Sequence, residues 1–165
     1  MANAFDIREA TAGDYEAISD VMFDAVRSGR SKYTEEQRRA WVPQPRSGFD
    51  WNERLESQAI LVAIRSGQIV GFMSLATNGY IDLAYIRPSA QGTGVFRLLY
   101  ESIEKLAQKN EEARLWVHAS LMAQPAFNAM GFRITKKETV EIGDQALDRF
   151  DMEKQIFIDC SIGRA

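Results

Sequence analysis

The chain has 165 residues, 45% hydrophobic and 26% charged, with a formal net charge of -3 at pH 7; this suits one domain whose core needs neither metal nor disulfide. The acidic balance argues against a nucleic-acid partner, the single cysteine Cys160 rules out an internal disulfide, and one histidine without clustered cysteines leaves no recognised metal-ligand spacing. No apolar run approaches the ~18 residues of a membrane span, and MANAFDIREA lacks the cationic lead and apolar stretch of a secretory leader, so the expectation is a cytoplasmic, bacterial-type protein with no membrane partner.

Phe5 to Ala10 alternates as a first strand, and Thr11-x-x-Asp14 then predicts a capped helix with Tyr15, Ile18, Val21, Met22, Ala25 and Val26 on its apolar face. Thr34-x-x-Gln37 predicts a second short helix that carries Trp41 and stops at Pro43 and Pro45. Asp50-x-x-Glu53 predicts the cap of a third, ending near Ser57. Two apolar runs, Ala59 to Arg65 and Gln68 to Thr77, flank the turn Ser66-Gly67 and read as a β-hairpin. Asn78-Gly79 turns the chain into another strand, Tyr80 to Ile86.

Beyond the turn QGTG, a helix is predicted with Val95, Leu98, Leu99, Ile103 and Leu106 buried and Arg97, Glu101, Lys105 and Gln108 facing water. Arg114 to Ala119 returns as a strand, expected parallel to the Tyr80 strand because a helix joins them. Pro125 suits the first turn of a short helix that Gly131 ends, and strands near Phe132 to Ile142 and Leu147 to Gln155 meet across Gly143-Asp144. No linker or repeat interrupts this order, which gives one domain over residues 1–156 and a C-terminal tail over 157–165.

The stretch from Tyr80 to Leu106, a strand passing through glycines into a helix, is the most informative part of the chain. The first N–H groups of a helix have no intrahelical partner, the dipole makes that end partly positive, and glycines let a phosphate reach bare backbone. A dinucleotide fingerprint would need a third Gly or Ala where Arg97 stands, and a P-loop would need Lys and Ser or Thr where Val95 and Phe96 stand, so neither nucleotide motif fits. A tight connection with no ligand is the competing reading of the loop alone.

Ile86-Arg87-Pro88 followed by Gln91, Gly92, Thr93, Gly94 and Val95 resembles the pyrophosphate loop of the GNAT superfamily of acetyl-CoA-dependent N-acetyltransferases, with Phe96 where the family has Gly or Ala. AQPAFNAMGF, from Ala123 to Phe132, is similar to the family's second signature, and HASLMAQPAF with Tyr33-Thr-Glu-Glu-Gln and Ala40-Trp41 resembles its small YafP-like bacterial branch. The resemblance implies the GNAT fold, an α+β arrangement with a mixed, mostly antiparallel sheet of about six or seven strands, helices on both faces, and a V-shaped splay between the fourth and fifth strands. It also implies acetyl-CoA as cofactor. Leu83, Ala84, Tyr85 and Ile86 would offer backbone to the pantetheine arm; Gln91, Gly92, Thr93, Gly94, Val95, Phe96 and Arg97 would hold the pyrophosphate; Ser120 stands where many members place an Asn. Phe127 stands where many place a Tyr acid beside the thiol.

An acceptor amine is mostly ammonium at neutral pH, so a base is needed. Asp82, interrupting an apolar strand, is the first candidate, against a plain ion pair with an arginine; His118, in the neighbouring predicted strand, is the second, against a structural histidine. Tyr85 is a substitute acid for the phenol missing at Phe127. Tyr33, Trp41, Phe49 and Trp51, with Asp82, are candidates for the acceptor pocket, against the commoner role of aromatics as core. Asp144, Asp148 and Asp151 would attract a cationic acceptor unless they form an ordinary charged turn. The expected partner is a small-molecule or peptide amine, a homodimer stays open, and the alternative function is a CoA-binding regulatory or toxin-associated module with little turnover.

Overall fold

The computed structural model describes residues 4–156; the tail 157–165, with Cys160, lies outside them. Among the described residues, eight strands form two four-stranded sheets. In the first, β1 (Asp6–Glu9), β2 (Ala59–Arg65), β3 (Gln68–Leu75) and β5 (Ala84–Ile86) pair antiparallel in that order. The second runs β4 (Tyr80–Ile81), β6 (Arg114–Ser120), β8 (Gln145–Gln155), β7 (Arg133–Ile142), with β4 parallel to β6 and the other pairs antiparallel.

Two hydrophobic cores follow from the alternation of side chains across the strands. Val62 and Phe72 face α1 (Tyr15–Ser28), which contributes Ile18, Val21 and Met22, and α3 (Phe49–Glu56), which contributes Trp51 and Leu55. Their neighbours Ala63 and Met73 point the other way, onto α4 (Val95–Lys109), whose Val95, Leu99, Ile103 and Ala107 are buried with Leu115, Val117 and Phe132. The short helices α2 (Glu35–Trp41) and α5 (Gln124–Ala129) complete the two layers.

Two local expectations need correction. The third helix is not capped by Asp50: its N-cap is Gly48, at φ 100°, and Asp50 sits in the first turn, where its charge opposes the helix dipole instead. The predicted strand from Tyr80 to Ile86 is two strands. Tyr80 and Ile81 pair with Trp116 and Val117, whereas Ala84 to Ile86 pair with Met73 to Gly71. The crossover is held by buried Ser74, whose N–H donates to the Leu83 carbonyl at 2.9 Å while its Oγ accepts the Leu83 N–H at 2.9 Å. A side chain thus stands in for a ladder partner, and the chain leaves one sheet for the other without orphaning a buried amide. This is the expected V-shaped splay. Gly79 anchors its closed end: at φ +76° a Cβ there would lie 2.0 Å from the Arg114 carbonyl oxygen, so only glycine lets β6 approach the turn.

Candidate active site

Between β5 and the end of β6 lies a cavity of about 430 Å³, floored by the N-terminus of α4. Ala84, Tyr85 and Ile86 form one wall, Ser120 and Met122 the other, and Gly92, Gly94, Val95, Phe96 and Arg97 the floor. Trp41 and the end of α1 close it from the side of the first core.

The floor gathers backbone donors. Gly92 and Gly94 have φ +76° and +90°, and a Cβ at either would meet nothing within 4 Å, so glycine is required here by backbone conformation and not by crowding. The Leu98 N–H is the first to bond back, to the Gly94 carbonyl. Among the described residues, the N–H groups of Gly92, Thr93, Gly94, Val95, Phe96 and Arg97 find no acceptor. A helix end ordinarily leaves four such donors; here two more from the turn join them. Gln91 turns its side-chain amide to the Ile86 carbonyl at 3.1 Å, and Thr93 donates its hydroxyl to the Ala90 carbonyl, which fix the turn.

The wall supplies further backbone groups. Leu83 and Arg87 direct their N–H groups to β3, at Ser74 and Val70, so alternation turns those of Ala84 and Ile86 into the split. Ser120 lines the cavity while its Oγ accepts the Ala123 N–H at 3.1 Å, which caps the turn before α5. Burial pushes the Tyr85 phenol up, against the pull of Arg54 and Arg46, so it stays protonated.

Asp82 and His118 lie just past the end of the β4–β6 pairing. The pairing Ile81 with Val117 is the last across β4 and β6, and one more step along the register sets Asp82 opposite His118. Asp82 is closely held: Arg54 donates two hydrogen bonds of 2.8 Å to its two oxygens and Gln58 a third of 2.9 Å, with the carboxylate side chain 12% exposed. Burial raises its carboxyl, but the Arg54 and Gln58 hydrogen bonds and the Arg54 charge outweigh that and leave it below the usual range. His118 Nδ1 lies 2.5 Å from an Asp151 oxygen and 3.6 Å from Glu138, and Tyr80 and Trp116 set their rings edgewise to it at 5.7 and 5.5 Å.

The aromatic candidates divide. Tyr33, Trp41 and Tyr85 form a chain with centroids 5.7 and 6.2 Å apart, and the Tyr33 hydroxyl donates to the Asp148 carbonyl at 2.6 Å while accepting the Leu121 N–H at 2.9 Å. Tyr33 therefore ties α2 to the wall behind Trp41. Trp51 does not reach the cavity: it is buried in the first core and its indole N–H donates to Ser19 at 2.7 Å. Phe127 likewise is fully enclosed, packed edge-on against Phe96 and Phe132 at 5.1 and 5.0 Å, so it is core and not cofactor lining. Leu83 is buried and Thr93 faces back to Ala90, and neither lines the cavity. Of the three late aspartates, Asp148 is held by Thr139 and Lys137 and Asp151 by His118, while Asp144 stays exposed in the β7–β8 turn. Ala126, Ala129 and Met130 of the Ala123 to Phe132 signature complete the lining with Arg30 and Ser31, which no sequence signal singled out.

Residues 30–156 match the family described as acetyltransferase (GNAT) domain. The chain is 32% identical over 140 residues to the uncharacterized N-acetyltransferase YafP of Escherichia coli, covering 84% of this chain and 88% of that protein. A GCN5-related N-acetyltransferase from Rhodopseudomonas palustris superposes with TM-score 0.87 at 28% identity, covering 94% of this chain and 98% of the other. PaiA N-acetyltransferase from Thermoplasma acidophilum, solved with coenzyme A, superposes with TM-score 0.71 at 18% identity over 93% and 99% of the two chains. This chain belongs to the GNAT acetyltransferase family. Among the described residues no helix is long and apolar enough to cross a membrane.

Proposed function

We propose that the protein transfers the acetyl group of acetyl-CoA to a primary amine of a small molecule or peptide, by direct attack in a ternary complex. The observation that carries this reading is the set of six unpartnered N–H groups, Gly92 to Arg97, at the floor of a cavity that all of these residues but Thr93 line and that lies between β5 and the end of β6. Such donors fit a pyrophosphate, with Arg97 beside them, and coenzyme A in the PaiA structure fits the same assignment. Acetyl-CoA supplies an activated thioester. The N–H groups of Ala84 and Ile86, turned away from β3, would be the ones to hold a pantetheine arm, and such a donor would stabilise charge developing on a thioester oxygen.

The acceptor must lose a proton, and His118 is favoured over Asp82 because both oxygens of Asp82 are taken by Arg54 and Gln58. Tyr85 lines the cavity wall and is the phenol that would return a proton to the departing thiolate, a transfer that the burial raising its phenol works against. Trp41 forms the side of the acceptor approach. The second reading, a CoA-binding module without turnover, drew on the missing phenol at Phe127. Because Phe127 is enclosed core, that observation carries less weight.

Calorimetric titration with acetyl-CoA followed by thiol release across a panel of amines tests both readings. Micromolar binding with release on at least one amine is expected. Binding with silence on every amine would favour the module, and absence of binding at millimolar concentration would sink both.

A further inference from the structure

His118, Glu138 and Asp151 come from three strands, β6, β7 and β8, and bring one ligand-type atom each within 4.8 Å of the others. A metal ion is the first chemistry such a set suggests, but the charge is already balanced. The Glu138 oxygen nearest His118 accepts a 2.6 Å hydrogen bond from Arg149, and Lys136 lies 3.7 Å from its other oxygen. The Arg149 guanidinium holds the Glu138 carboxyl below its usual range. Glu138 is thereby committed to Arg149, and the pairing left to His118 is the short one, Nδ1 to Asp151 at 2.5 Å.

That pairing has a chemical consequence. A carboxylate accepts and cannot donate, so it selects the imidazole tautomer with the proton on Nδ1 and leaves the lone pair on Nε2, at the ring edge away from β8. His118 and Ser120 share one face of β6, because the residues between them and before them, Ala119 and Val117, are buried in the opposite core. Ser120 lines the cavity, so the imidazole sits one pleat, about 7 Å along the strand, from the cavity wall. We propose that His118 is the general base for the acceptor amine and that Asp151 is its positioning residue. The inference rests on the acetyl-transfer reading given above.

The step balances as follows. The acceptor ammonium gives one proton to Nε2, and its nitrogen lone pair forms the C–N bond at the acetyl carbon. The C–S bond then breaks with its electron pair on sulfur. The second nitrogen proton is released as the adduct collapses, which matches the proton taken up by the thiolate, and Nε2 returns its proton to water. The charged and titratable groups around the ring are Tyr80 from β4, Glu138 and Lys136 from β7, and Asp151 and Arg149 from β8, with Asp82, held by Arg54 and Gln58, one residue past the last β4–β6 pair.

His118 is the one histidine in the chain, so its ring is resolved without assignment in a long-range ¹H–¹⁵N NMR spectrum of the labelled protein. The wild-type ring is expected in the Nδ1–H form. Asp151→Asn offers an amide N–H to Nδ1, favours the Nε2–H form that cannot accept a proton, and should lower kcat/KM by about 100-fold or more. The acid limb of its residual pH–rate profile should move to lower pH in step with the ring titration, while acetyl-CoA affinity stays unchanged. Asp151→Glu, which keeps a carboxylate, should recover part of the rate.

A wild-type ring in the Nε2–H form would overturn the proposal, and that measurement needs no variant to fold. A ring titration that moves in Asp151→Asn while the rate limb stays fixed would overturn it too, leaving the dyad structural. Turnover of no amine by wild type, with the Nδ1–H form present, would bring down acetyl transfer itself and the proposal with it.

Discussion

Gly94→Ala separates the conformational role of the glycine turn from its role as a ligand site. Gly94 is the N-cap of α4 at φ +90°, where an L side chain costs about 1–2 kcal/mol. Its added Cβ would meet no protein atom within 4 Å, so no packing penalty joins that strain. In a domain of this size 1 kcal/mol lowers Tm by roughly 2–4 °C. A phosphate held by the donors Gly92 to Arg97 would, however, have to share the open space beside Gly94 with this Cβ. Displacing a phosphate from two of them forfeits two hydrogen bonds to a charged group at about 1.5–3 kcal/mol each, which is at least ~100-fold in affinity. Gly67→Ala is the control: φ +79°, equally open surroundings, but in the β2–β3 hairpin. Both variants should melt a few degrees early, and only Gly94→Ala should lose acetyl-CoA binding by calorimetry. Affinity in Gly94→Ala within about threefold of wild type would refute the anion-site assignment.

Asp14 accepts two hydrogen bonds from Arg8, at 2.8 and 3.0 Å, and one from the Thr11 N–H at 2.8 Å. The Arg8 hydrogen bonds lead in holding its carboxyl down to about 2 from 3.8. A depressed carboxyl contributes stability above its unfolded value and loses it as pH falls through the folded one. The Asp14 contribution should therefore be complete above pH 4 and disappear between about pH 4 and 2; urea midpoints of wild type and Asp14→Asn should converge over that window, and parallel curves would remove Asp14 from the acid response. Phe127→Tyr would bury a hydroxyl between Phe96 and Phe132, at a cost of about 1–3 kcal/mol if it finds no partner. It should melt earlier with no gain in thiol release, and faster release would show that this ring reaches the sulfur after all.

What the sequence made legible is what neighbours in the chain decide. Thr34 and Gln37 form the capping box their spacing predicts, with hydrogen bonds of 2.8 and 3.1 Å, because both partners lie within one turn. The glycine turn was readable for the same reason: positive φ, free N–H groups and the start of α4 are all local. Trp51 was misjudged because the decisive contact, Ser19, is 32 residues away and belongs to another helix. Phe127 was misjudged because its position in a motif fixes its place along α5 but not which side of the helix the core takes, and Phe96 and Phe132 take the side it occupies.

The split strand is the largest of these nonlocal effects, and it explains why the candidate site lies where it does. Tyr80 to Ile86 reads as one strand because its alternation is continuous, but its halves have partners 36 residues later and about 11 residues earlier, Trp116 and Met73. Satisfying both opens a gap that nothing else in either sheet requires. The gap turns the N–H groups of Ala84 and Ile86 away from β3, opens onto the cavity above the α4 N-terminus, and begins where the β4–β6 pairing stops, one residue before Asp82 and His118. Of these two, Asp82 is secured by Arg54 of α3 and His118 by Asp151 of β8, so the carboxylate is locked while the imidazole keeps one nitrogen without a partner among the described residues. Ser74, buried and bonded twice to Leu83, is the residue that makes the divergence affordable, and its hydroxyl is as much a part of the site as any group that lines it.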